Sequence, residues 1–141
     1  MRPGDRARAA VTSNARPGSE PLRQAEAAIA LAVGALMTLA SKPTLRVFGV
    51  AGRDVTGAAE LGWRLFGVRT VAVAIAALEG SDEARSAFLP IQIADQAVFA
   101  HARRTGAVPP RASALAMLTS GAIIALDLAA RRRERPGPSA G

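Results

Sequence analysis

Charge is absent from residues 27–40, 70–78 and 112–126, while acidic and basic residues crowd the segments between them. The pattern marks out four apolar stretches, each closed by turn-forming residues. The first covers 22–40, with Ser19 placed as an N-cap and Pro21 suited to a first helical turn. Ser41-Lys42-Pro43 ends it, because the residue before a proline is pushed out of helical backbone. The second covers 60–79 and stops at Gly80. The third covers 82–102, capped by Ser81, with Asp82 and Glu83 in the first turn where they complement the helix dipole. Pro90 should bend it. The fourth covers 110–130, opened by Pro109-Pro110 and closed by the arginine run from Arg131.

A helix in a soluble bundle shows water a charged face. The uncharged runs leave no such face, and a chain of 141 residues cannot bury four helices that are apolar all round. A lipid bilayer can, and each stretch falls within the roughly 17–25 residues that cross one. The expectation is an all-α, four-helix antiparallel transmembrane bundle over 22–130, between disordered basic tails at 1–21 and 131–141. The first segment also resembles a signal peptide, with a basic lead and "TLA" before Ser41. Three more apolar segments follow, so it reads as a retained helix. The connection at 41–59, with Phe48 beside Arg46 and Arg53, suits a segment lying at the headgroups.

Composition adds the distribution of charge. The net charge is +7, and Lys42 is the one lysine among 18 basic residues. Arg2, Arg6, Arg8, Arg16 and Arg23 lie in the first 23 residues, and Arg131, Arg132, Arg133 and Arg135 near the end. Basic flanks of this kind bind anionic lipid and set topology. The bias favours both termini on the cytoplasmic side of the inner (plasma) membrane. A soluble helical nucleic-acid-binding protein is the alternative reading of the same charge. It lacks a helix-turn-helix or RNA-binding motif and has few aromatics to stack on bases. With no cysteine there is no disulfide framework, thiolate metal site or thiol nucleophile. No phosphate loop, dinucleotide fingerprint, nucleophile elbow or zinc motif occurs, so no cofactor and no metal are expected. His101, the single histidine, stands beside Arg103 and Arg104 without a ligand cluster.

Charges within the apolar stretches carry the remaining information, because a charge at mid-bilayer costs about 2.5–3.5 kcal/mol on insertion scales. Glu26 and Asp127 lie near helix ends, with Arg23 and Arg131 at helical spacing, and are expected to pair locally or reach the interface. Arg64 has Glu60 at i−4 and a stem long enough to snorkel. Arg69 and Asp95 are deeper. They sit equidistant from the turn at Asp82, so an antiparallel hairpin brings them to one depth, and the arginine fork suits a carboxylate. Gln92 and Gln96 flank the aspartate as candidate members of the same network. Two roles fit this group: a packing salt bridge, or a buried site for the polar part of a lipid-like or aromatic molecule. Gly34, Thr119, Ser120 and Gly121 are small residues that permit close helix approach.

"RLFGVRTVAVAIAALEG", followed by "IADQAVFAHARRTG" and an apolar last helix, resembles a family of small bacterial and fungal four-helix integral membrane proteins of unknown function, related to the DoxX-like group. In that family the second helix typically carries a G-x-R element, here Gly67-Val68-Arg69, and the third an aspartate, here Asp95. The resemblance implies a four-helix integral membrane protein and no particular activity. Relatives beside biosynthetic enzymes keep an enzymatic role open.

Two functional readings therefore stand beside the nucleic-acid alternative. One is a structural or accessory membrane protein, with a membrane partner protein for company. The other is a membrane-embedded enzyme or binding protein for a hydrophobic small molecule of a biosynthetic pathway, with Asp95 as acid/base and Arg69 as electrostatic stabiliser.

Overall fold

The computed structural model describes residues 18–135; the tails expected before and after these bounds lie outside the described residues. Within them the chain is all-helical, with five α-helices and no strand. They are α1 (Glu20–Leu39), α2 (Ser41–Val47), α3 (Gly57–Leu78), α4 (Asp82–Arg104) and α5 (Pro110–Glu134), with a 3-10 turn at Gly52–Asp54. Thr56 caps α3 by accepting the Ala59 N–H at 3.2 Å, and Ser81 caps α4 by accepting that of Ala84 at 3.2 Å. Gly80, at φ +94°, makes the α3–α4 turn in a conformation that costs other residues strain. Ser19 takes the N-cap position of α1 without a side-chain cap bond.

Several boundaries differ from the sequence reading, and α3 begins at Gly57 and α4 runs to Arg104, each two or three residues beyond the expected bound. Lys42-Pro43 does not open a loop: Ala40 breaks α1, and Ser41–Val47 forms α2 with Pro43 in its first turn, where a missing N–H costs nothing. Arg131, Arg132 and Arg133, expected in the tail, form the last turn of α5. Cations suit a helix C-terminus, and Glu134 is held there by Arg23. At the other end, α1 opens at Glu20, inside the segment assigned to the tail, with Ser19 at the N-cap position and Pro21 in the first turn as the sequence suggested.

The long helices pack in sequence around an interior. α1 lies against α3 and α5, and α4 against α3 and α5. The first-helix contact with α3 is the closest because two glycines face each other. A Cβ on Gly67 would lie 2.7 Å from the Gly34 carbonyl oxygen, and one on Gly34 would lie 3.0 Å from that of Gly67. Gly121 has ordinary room, its imagined Cβ 3.7 Å from Gln96.

α1, α3 and α5 are long and apolar enough to cross a membrane by length and composition; α4 is not. The expectation of four such segments weighed α4 by its length. Gln92, Asp95 and Gln96 at its centre and charged residues at both ends lower its hydropathy.

The core is small. Ala27, Ala30, Ala74, Ala77, Phe88 and Ile123 form its apolar centre. Beside them lie buried Glu26, Gln92, Asp95, Ser113, Ser120 and Asp127. Many large aliphatics point the other way: Leu39 is 83% exposed, Leu118 70%, Val98 63% and Leu65 61%.

Candidate functional site

The α3–α4 hairpin brings Arg69 and Asp95 together as the spacing from the turn requires. One guanidinium nitrogen, Nη2, donates to both carboxylate oxygens, at 3.3 and 3.0 Å. The contact is therefore one-nitrogen, not the two-nitrogen fork expected. The guanidinium carbon also sits 4.6 Å from the Phe66 ring centroid, within cation–π range. Asp95 is nearly buried, whereas the Arg69 side chain is 44% exposed. Neither glutamine joins the pair. Gln96 donates to the Met117 carbonyl on α5 at 2.8 Å. The Gln92 carbonyl accepts from Ser120 at 3.2 Å, and its side chain lines an interior cavity. Both glutamines thus join α4 to α5 instead.

The most buried charges are elsewhere, at the end where α1 begins and α5 finishes. Arg23 donates through Nη1 to Asp127 at 2.5 Å and through Nε and Nη2 to Glu134 at 3.2 and 3.1 Å. Arg131 closes on the other Asp127 oxygen at 2.5 Å, and Glu26 lies 3.5 Å from Arg23. The local pairs expected from spacing are present, yet Glu26 and Asp127 do not reach an interface: their side chains are 1% and 0% exposed. The reason is the long-range partner. Arg23 spans from α1 to α5 and draws both acids inward. Glu26 Oε1 is buried with no hydrogen-bond partner.

At the opposite end, Glu60 is a hub between α2 and α3. It pairs with Arg64 at 2.7 Å, accepts from the Ser41 hydroxyl at 3.2 Å and lies 3.6 Å from Lys42. Arg64 donates in turn to Ser41 at 3.2 Å. These contacts fix α2, an element the sequence reading left as connection, onto the start of α3. His101 is exposed in the last turn of α4. Among the described residues no group of three potential ligands could hold a metal ion.

Two hollows share walls at this end. An interior cavity of about 30 Å³ lies among Thr70, Gln92, Ser120 and Ile123. That is room for one or two waters beside polar groups. Phe48, Phe99 and Ala116 separate it from a larger cleft of about 710 Å³, walled also by Trp63, Val98 and Pro109. Phe48 meets Trp63 edge-on at 5.3 Å between ring centroids. Sequence reasoning had no access to this cleft, since its walls come from four separate parts of the chain. Neither Arg69 nor Asp95 lines either hollow.

No protein-family model, curated protein or solved structure matches the chain.

Proposed function

We propose that this chain is a small integral membrane protein, structural or accessory in role, whose four long helices form an antiparallel transmembrane bundle. The observation that carries the reading is the reversal of polarity from centre to surface. Soluble proteins bury large aliphatics and expose charge. Here Asp127, Glu26, Asp95 and Gln92 lie inside, and Leu39, Leu65, Val98 and Leu118 lie outside. In hydrocarbon, ionisable side chains face the interior and pair with one another. Close approach through small residues then replaces the hydrophobic drive that lipid removes.

α4 fits the bundle as its least apolar member. Its buried positions Phe88, Gln92 and Asp95 fall on one stripe, so its polar groups face the other helices and not the surroundings. The DoxX-like resemblance remains part of this proposal through Gly67, Arg69 and Asp95. A packing role for Arg69–Asp95 is supported by the absence of either residue from the walls of both hollows, where a substrate for an acid/base aspartate would sit. Fractionation tests the reading. The protein should stay with membranes through an alkaline carbonate wash and be released by mild detergent. Recovery of monodisperse protein in detergent-free supernatant would refute it and restore the soluble alternative.

A further inference from the structure

We propose that the cleft beside Trp63 binds a single-chain amphiphile with a carboxylate head, its hydrocarbon among Phe48, Phe99 and Val98 and its head at Arg103. The proposal stands on the cleft and does not depend on how many helices cross a bilayer.

Four observations converge on it. At about 710 Å³ the cleft is within the range of small-molecule sites and well above the gaps left by imperfect packing. Its walls are mainly apolar and aromatic, which suits a hydrocarbon body. The Arg103 side chain stands on the wall without a hydrogen bond or ion pair, among the described residues. A guanidinium fork matches one carboxylate through two parallel bonds. The other charged residue of the wall, Asp54, is paired with Arg53, at 3.8 Å, and not with Arg103. Finally, two further cations flank the wall: the Arg111 side chain lies against Gly49 and the Arg46 guanidinium lies near Gly52, next to the wall residues Phe48, Val50 and Asp54. Such a field draws anionic ligands toward the mouth. The chemistry is binding alone, with no covalent step.

Trp63 makes the test direct. It is the single tryptophan, there is no tyrosine, and the indole is part of the cleft wall. Bromine quenches tryptophan fluorescence on contact. The full chain, purified in dodecyl maltoside, is titrated with 9,10-dibromostearic acid and, separately, with its methyl ester. The expected result is saturable quenching by the acid, with the ester weaker by about tenfold, the loss of a charge-assisted hydrogen-bond pair. Arg103→Gln should lower the acid's affinity to that of the ester. Ala107→Phe, at an exposed position on the cleft wall, should remove the saturable component while leaving the far-ultraviolet circular dichroism unchanged. Quenching that rises linearly with either probe, alike in all variants, means that Trp63 meets only bulk chains and overturns the site. Saturable quenching by the acid that Arg103→Gln leaves unchanged overturns the assignment of the head.

Discussion

Substituting Gly67 by alanine tests the α1–α3 crossing at its tightest point. The added Cβ would stand 2.5 Å from Thr38 Oγ1, 2.7 Å from the Gly34 carbonyl oxygen and 2.9 Å from the Thr38 nitrogen. Two of these three are backbone atoms, and the Thr38 hydroxyl is already bonded to the Gly34 carbonyl at 2.8 Å, so no side-chain rotation relieves the clash. Ordinary contact begins near 3.4 Å, so the helices must part by about 0.7 Å at Gly34. Overpacking of this kind costs about 1–3 kcal/mol. Alanine also favours helix over glycine by about 0.5–1 kcal/mol, which masks part of that cost. Gly62→Ala on the same helix removes the ambiguity, because nothing lies within 4 Å of its imagined Cβ. It carries the propensity gain alone, so the difference between the two variants is the steric cost, about 1–3 kcal/mol. Gly34→Ala should fall between them, its three nearest contacts being at 3.0 Å. Unfolding by a denaturing detergent, followed by circular dichroism at 222 nm, gives the order. Stability should run Gly62→Ala, then Gly34→Ala, then Gly67→Ala. Equal stability of Gly67→Ala and Gly62→Ala would show that α1 and α3 do not meet at this pair.

The other predictions concern charges and a cap. Arg23→Gln should lose about 3–5 kcal/mol in the same unfolding assay, because it leaves Asp127 and Glu26 buried with weakened compensation. Arg132→Gln, at an exposed position in the adjacent turn, should change stability by less than about 0.5 kcal/mol. On the proposed membrane reading, Asp95→Asn should cost on the order of 2 kcal/mol by leaving the half-exposed Arg69 without its counter-ion. The double variant Arg69→Leu with Asp95→Leu should regain most of that loss; a double variant as unstable as Asp95→Asn would count against the pairing. Thr56→Ala should cost about 1 kcal/mol through loss of the α3 cap, read in the same unfolding assay.

How far the sequence disclosed this arrangement depended on the distance between partners. The turn at Gly80 and the cap at Ser81 are local, and they fixed the hairpin register well enough to pair residue 69 with 95. The Glu60–Arg64 pair at i,i+4 was legible for the same reason. Glu26 and Asp127 were read through their near neighbours Arg23 and Arg131, which are indeed in contact with them. Their burial comes from Arg23 reaching across to α5, between segments about a hundred residues apart, and no periodicity encodes that. α2 escaped because proline was read as a stop, when in a first turn it is a start. Gly67 was noticed as part of a motif, but its packing partner could be identified only once Gly34 stood opposite. The aromatic cleft is legible only in three dimensions, since Phe48, Trp63, Phe99 and Pro109 share no spacing.

Gly67 and Arg69 are two residues apart, which places them about 200° apart around the α3 axis. One rests on α1 and the other reaches α4. Turning α3 by a single residue step would bring the Val68 side chain onto Gly34 and carry the guanidinium off Asp95 at once. α3 is therefore keyed against rotation on both flanks.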